Sequence, residues 1–286
     1  MPNFIISIAN QMKTILVLTD FSKKAENAAL YALKLAEKTF ANIILYHLYE
    51  EVPAVNVPES GSWLIEDYDT YKKESTRGLL RLKEKLQVSN AAEFKPAISW
   101  FNDIGPDLAS TCSGLITSQK VDLVVMGARG DNTVSHLLYG SDAYEVINNV
   151  NCPVLLVPED CLYNSLETIV FANDFKQDYS EAIRFIADLA RLDNAHIVLT
   201  HFGPYDNDAF KYIDEFKSAD PYANVSSHFL PLENFREQLA GFAAKVNASL
   251  VVMIHHHKIA LDTIFTGSRS KKMLDHKDMP LLVLPA

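Results

Sequence analysis

The chain has 286 residues, 48% of them hydrophobic and 22% charged, which is the composition of a globular protein of about two domains. Its formal net charge of −10, with no basic cluster, argues against a nucleic-acid surface and against binding to anionic membranes. The three cysteines have no paired spacing, so we expect no disulfide framework and a reducing compartment, the cytoplasm.

Short apolar segments alternate with segments of helical periodicity along the first half of the chain. Residues 1–11 precede this pattern, and we interpret them as an extension or as residues before the true start. The predicted strands are 13–19, 42–48, 94–101, 121–126 and 152–158. The first predicted helix begins after Ser22, and the others span 67–86, 103–119 and 140–149. Residues 49–66 are predicted to be a loop. This alternation indicates an α/β fold, with parallel strands in a doubly wound open sheet.

The same order of segments begins again near residue 166. Thr168–Phe175 resembles Thr14–Phe21 at an offset of 154, whereas Ser249–Met253 resembles Asp122–Met126 at an offset of 127. The second copy is therefore 27 residues shorter in its middle. Because each copy is long enough to bury its own core, we predict a duplicated domain, with boundaries at 12–158 and 166–286.

A glycine pattern follows the fourth strand of the first copy. Gly127 and Gly130 are followed, after nine residues, by Gly140 and Ser141 at the start of a predicted helix. Glycines allow the backbone to approach a ligand closely, and the N–H groups of a helix start point at an anion. The pattern favours a phosphate site, although tight turns and an ordinary helix cap are the structural alternative.

The second copy has lost most of this pattern. Ile254 and His257 replace the two leading glycines, while Asp174, Gly267 and Ser268 remain. We therefore expect the second copy to be a structural partner, or to bind something other than ATP. The three consecutive histidines at 255–257 point alternately if extended and have no partner cluster, so we predict no metal site there.

Three segments of the chain together resemble the universal stress protein family, in the tandem form with two such domains in one polypeptide. They are Leu16–Ser22, the glycine pattern from Gly127 to Ser141, and Cys152–Val157. The resemblance implies the strand order 3-2-1-4-5. It also implies pairing through the fifth strands, either between the two domains of one chain or in a homodimer.

The resemblance also implies a site for ATP, with or without Mg²⁺, in the first domain. The matching positions are Asp20, Leu48 (through its backbone), Met126, Gly127, Arg129, Gly130, Gly140 and Ser141. In the ATP-binding branch of the family, the positions on the first two strands hold adenosine and the glycine pattern holds the phosphates.

The residue types support the same arrangement independently. Ligands of open α/β sheets bind outside the carboxyl ends of the strands, where both Asp20 and Gly127 are predicted to lie. A carboxylate accepts hydrogen bonds from ribose hydroxyls but repels phosphate, so Asp20 is expected to face the sugar. Asp20 as a helix-capping residue and Arg129 as a solvated loop residue are the alternatives.

No arrangement of residues typical of catalysis accompanies this pattern. There is no convincing triad, P-loop lysine or carboxylate pair, so no catalytic residue is predicted. We therefore expect a nucleotide-binding stress-response or regulatory protein that contacts neither nucleic acid nor membrane. The alternatives are a weak Mg²⁺-dependent ATPase or nucleotidyl-transfer enzyme, and a scaffold that binds no nucleotide.

Overall fold

A computed structural model describes residues 12–50, 62–105, 107–128, 141–173, 179–202, 208–219, 221, 223–231, 233–255 and 279–285. The first domain contains β1 (Thr14–Leu18), α1 (Lys23–Thr39), β2 (Asn42–Glu50), α2 (Ser62–Ser89), β3 (Ile98–Gly105), α3 (Leu108–Gln119), β4 (Leu123–Ala128), α4 (Ser141–Asn149) and β5 (Val154–Pro158). The second contains β6 (Thr168–Asn173), α5 (Ser180–Asp193), β7 (His196–Phe202), α6 (Asp208–Ala219), β8 (Asn224–Leu230), α7 (Phe235–Lys245), β9 (Leu250–His255) and β10 (Leu281–Pro285).

All ten strands form one continuous sheet in the order β3-β2-β1-β4-β5-β10-β9-β6-β7-β8. Within each domain the neighbouring strands are parallel and follow the order 3-2-1-4-5, which confirms the predicted fold class. The two domains meet where β5 and β10 pair antiparallel, with Leu156 opposite Leu281 and Val154 opposite Val283. The fifth strands thus join the two copies, as the resemblance implies.

The apolar core has two layers, one on each face of the sheet. On one face, Ile15 and Val17 of β1 belong to a cluster that includes residues of α1, α2, α5 and α6. On the other face, Leu16 and Leu18 belong to a cluster that includes residues of α3, α4 and α7. Since β1 is buried from both sides, its sequence is a continuous apolar run rather than an alternating one. Every helix in the described ranges is too short or too polar to span a lipid bilayer.

The third strand lies four residues later than predicted. β3 spans Ile98–Gly105, not 94–101, and pairs with β2 along its whole length, up to Glu50 opposite Gly105. The expected helix start at residue 103 is therefore wrong: Asp107 is the N-cap of α3 and accepts a hydrogen bond from the Ser110 N–H at 2.7 Å. β3 lies at the edge of the sheet, and after the buried Ile98 its residues are either exposed or only partly buried, so their apolar signal is weak.

The predicted loop at 49–66 is also wrong at both ends. β2 continues to Glu50, and α2 already begins at Ser62; residues 51–61 lie outside the described residues. The corresponding helix of the second domain, α6, has 12 residues whereas α2 has 28. The second copy is thus shorter between its second and third strands. This agrees with the two sequence offsets, which predict the missing residues in the middle of that copy.

The segment between β5 and β6 connects the domains through specific polar contacts. The Asn27 side chain of α1 donates to the carbonyl oxygens of Pro158 and Cys161, at 2.8 and 2.7 Å. At the end of α5, the Asp193 carboxylate accepts hydrogen bonds from the Tyr163 hydroxyl at 2.8 Å and from the Leu166 N–H at 2.9 Å. It also pairs with Lys38 of α1, so Asp193 contacts both the first domain and the connecting segment.

Candidate functional site

A cavity of about 370 Å³ opens at the carboxyl ends of the strands in the first domain. It lies where the strand order reverses between β1 and β4, the position at which open α/β sheets bind ligands. Four of the residues predicted from the sequence line it together: Asp20, Leu48, Met126 and Gly127. They come from the ends of three different strands, so only the folded sheet brings them to one place.

The remaining predicted positions follow β4 in the chain. Ser141 is the first residue of α4, and the first two turns of this helix contribute Asp142 and Glu145 to the cavity lining. Arg129, Gly130 and Gly140 lie outside the described residues, and their roles stay predictions. The cavity therefore reaches the helix start at which the sequence predicts a phosphate.

The Asp20 carboxylate is held by the turn that connects β1 to α1. It accepts a hydrogen bond from the Ser22 N–H at 3.0 Å and another from the Ser22 hydroxyl, and Lys24 Nζ lies 3.5 Å from its other oxygen. Burial by itself raises the pKa of Asp20, but these hydrogen bonds and the Lys24 charge outweigh it and hold the pKa below its usual range. Ser22, rather than Asp20, is the N-cap of α1, so Asp20 orients the capping residue and keeps a half-exposed carboxylate at the cavity.

Gly127 is required by the packing of α1 rather than by its backbone dihedral angles. It lies within β4, paired with Val157, and its φ is outside the left-handed region that favours glycine. A Cβ atom at this position would lie 2.7 Å from the carbonyl carbon and oxygen of Lys24 and 2.8 Å from the Ala25 nitrogen. The missing side chain thus allows the first turn of α1 to approach the end of β4. Glycine is needed at this position because the two backbones are in close contact.

The second domain has a different residue at the position of Gly127. Ile254 corresponds to Gly127, lies in β9 and is only 6% exposed, within the apolar cluster that also contains Tyr179. Helix α5 begins at Ser180, three residues later than α1 would at the offset of 154. An apolar side chain is thus buried in the second domain at the position where the first domain keeps a glycine.

His47 lies beside the cavity but belongs to a packed network. Its Nδ1 is 2.8 Å from the Ser75 hydroxyl, which also accepts a hydrogen bond from the Asn102 amide at 3.1 Å. The Phe21 ring covers the imidazole with a centroid distance of 4.4 Å. Burial lowers the pKa of His47, against the smaller raising effect of the Asp20 charge, so the ring is neutral at pH 7. This arrangement agrees with the interpretation of His47 as a packed residue near the crevice.

Several charged residues that line the cavity were not predicted from the sequence. Lys24 follows Asp20 by one helical turn, and Asp142 and Glu145 share one face of α4 directly after Ser141. Asp107 was missed because the end of β3 was misplaced. Hydrogen bonds from Ser110 hold the pKa of Asp107 below its usual range, so this side chain is ionised. Ligands of open α/β sheets bind at the carboxyl ends of the strands, so Asp107 would have been predicted if the end of β3 had been placed correctly.

Comparison with known proteins agrees with this fold. The sequence profile of the universal stress protein family matches residues 12–158. The chain is 29% identical over 153 residues to a universal stress protein of Methanocaldococcus jannaschii, covering 52% of this chain and 83% of that protein. It is 31% identical over 148 residues to one of Thermus aquaticus, covering 51% of this chain and 98% of that protein.

The similarity in structure extends over both domains. A crystal structure of a universal stress protein from Archaeoglobus fulgidus superposes with a TM-score of 0.74, covering 96% of this chain and 97% of the other, at 17% identity. A universal stress protein structure from Pseudomonas aeruginosa has a TM-score of 0.55 at 16% identity, covering 98% and 95%. At these identities the likeness concerns the fold. With the profile match over the first domain, it follows that this chain belongs to the universal stress protein family.

Proposed function

We propose that the first domain, residues 12–158, binds adenine nucleotides, including ATP with Mg²⁺. The proposed role of the protein is regulatory or in the stress response. The second domain, residues 166–286, acts as the structural partner of the first. The observation that supports this most is that Asp20, Leu48, Met126 and Gly127 line one cavity at the strand-order switch point. At about 370 Å³ the cavity is within the size range of small-molecule sites.

The lining offers different surfaces to the parts of a nucleotide. Leu18, Leu48 and Met126 provide apolar surface for the base, and the oriented Asp20 carboxylate accepts hydrogen bonds from the ribose hydroxyls. The start of α4 provides backbone N–H groups toward the phosphates. The glycine pattern around Gly130 and Gly140 completes this site in the proposal.

The proposed consequence of binding is a shift between conformations, because the pattern supplies binding groups and no catalytic base. A nucleotide that binds one conformation of the protein more tightly than another would change the surface offered to a partner protein. We also propose that the protein acts in the cytoplasm. The three buried thiols, none of them in a disulfide, fit a reducing compartment.

Equilibrium dialysis with radiolabelled ATP and MgCl₂ tests the proposal. We expect one nucleotide per chain, and about a 10- to 100-fold weaker affinity for Asp20→Ala, which loses charge-assisted hydrogen bonds to the ribose. Glu84→Ala, which removes an exposed carboxylate of α2 outside the cavity lining, is the control and should bind like the parent. Absence of binding would refute the proposal, and two nucleotides per chain would refute the structural role of the second domain.

A further inference from the structure

We propose that this site selects adenine nucleotides of low negative charge. A nucleoside monophosphate binds more tightly than free ATP, and ATP competes only when a divalent cation neutralises its phosphates. This inference rests on the proposed function and adds to it the charge state of the ligand. It follows from the charged groups that the fold places around the cavity.

Four carboxylates and one ammonium group line the described part of the cavity: Asp20, Asp107, Asp142, Glu145 and Lys24. They come from the β1–α1 turn, the N-cap of α3, the start of α4 and the first turn of α1. The ammonium group lies 3.5 Å from Asp20 and so faces a carboxylate of its own. A phosphate group entering this cavity meets a net negative charge.

The flanking sequence adds no net positive charge, because Arg129 is offset by acidic residues of the same segments. Between β4 and α4, residues 129–140 contain one arginine, Arg129, and one aspartate, Asp131. Between β2 and α2, residues 51–61 contain Glu51 and Glu59 and no basic residue. Whatever contacts these segments make, their formal charges sum to a negative value with histidine neutral.

The helix start that would receive the phosphates already has a carboxylate of its own. Asp142 is in the first turn of α4, and Glu145 lies one turn further on the cavity side. A carboxylate in the first turn interacts favourably with the helix dipole and therefore competes with a bound anion. Polar N–H groups remain available to a ligand, but a highly charged ligand loses much of the electrostatic advantage of a helix N-terminus.

The expected size of the effect follows from Coulomb's law. Each phosphate added to adenosine monophosphate adds about one negative charge at pH 7. At roughly 8 Å in a water-like dielectric, three net lining charges weaken binding by about tenfold for each added ligand charge. Free ATP should therefore bind about 100-fold more weakly than AMP at low salt, and the ratio should fall at 0.15 M salt, where screening is strong.

Calorimetric titration of the full chain with AMP, ADP and ATP, first in EDTA and then in MgCl₂, tests this inference. We expect the affinity to fall in that order in EDTA, and Mg²⁺ to strengthen ATP binding more than AMP binding. Combining Asp142→Asn with Glu145→Gln removes two of the three net lining charges and should reduce the AMP-to-ATP ratio in EDTA by roughly 20-fold. Glu181→Gln removes an acidic residue from the first turn of α5 and is the matched control, which should leave the ratio unchanged.

Two results would overturn the inference in different ways. If ATP binds in EDTA at least as tightly as AMP, selection by charge is refuted while nucleotide binding stands. If no adenine nucleotide binds under either condition, the proposed function fails, and the charge selection fails with it. A ratio that the Asp142 and Glu145 substitutions leave unchanged would also refute the role of these carboxylates.

Discussion

Replacing Asp193 by asparagine tests how the two domains are held together. Asp193 is the last residue of α5, and its carboxylate accepts hydrogen bonds from Lys38, from the Tyr163 hydroxyl and from the Leu166 N–H. Its side chain is 10% exposed. A negative charge at a helix C-terminus is itself unfavourable, so these partners explain why an aspartate is stable at this position.

The stability lost in Asp193→Asn can be worked from these contacts. Hydrogen bonds to a charged group contribute about 1.5–3 kcal/mol, and the asparagine amide presents hydrogens where the carboxylate accepted them. Solvent screening at the one-third exposed Lys38 reduces the ion-pair part, and removal of an unfavourable dipole interaction returns about 0.3–1 kcal/mol. We therefore expect a net loss of about 2 kcal/mol in the free energy of unfolding at pH 7.

The pH dependence of this loss has a defined sign. Burial raises the pKa of Asp193, but the hydrogen bonds from Lys38, Leu166 and Tyr163 outweigh it and hold the pKa below its usual range. A carboxyl group with a lowered pKa in the folded state stabilises the protein fully above its unfolded pKa of about 4. That contribution is lost as the pH falls through the lowered value.

Urea unfolding of the parent and of Asp193→Asn, measured between pH 7 and pH 3, provides the assay. The difference in unfolding free energy should be about 2 kcal/mol above pH 5 and should shrink below pH 4. Glu84→Gln, which removes an exposed carboxylate of α2, should change stability by less than about 0.5 kcal/mol at all pH values. A difference for Asp193→Asn that is below about 0.5 kcal/mol at pH 7, or that is independent of pH, would refute this account.

Three further substitutions, one of them a control, test the surroundings of the cavity. Gly127→Ala should lower the unfolding free energy by about 1–3 kcal/mol in thermal or urea unfolding, because its Cβ would collide with the Lys24 backbone. Gly114→Ala in α3, whose Cβ would meet nothing within 4 Å, should instead stabilise by about 0.5–1 kcal/mol, and equal effects at both sites would contradict the packing argument. In an NMR titration, His47 should show a pKa below that of an ordinary histidine, and Asp20→Asn should lower it further by removing a nearby negative charge. A rise on removal of Asp20 would refute that coupling.

The central strands could be predicted from the sequence because of where they lie. β1 and β4 are buried on both faces, and their continuous apolar runs identify them without any tertiary information. β3 could not be placed correctly, since it lies at the edge of the sheet and only Ile98 among its residues is buried. The error had a cost for the site, because it hid Gly105 and Asp107 at the carboxyl end of β3.

The sequence alone determined that this chain contains a duplicated α/β domain and that only the first copy keeps the glycine pattern. It also predicted that Asp20 and Gly127 lie at the carboxyl ends of neighbouring strands, whereas Leu48 and Met126 were predicted from the family resemblance. Only the tertiary structure showed that Gly127 contacts the backbone of α1, because that contact joins segments about a hundred residues apart. Likewise, only the fold brings acidic residues from separate elements to one cavity, since charge density depends on distances in space and not on spacing along the chain.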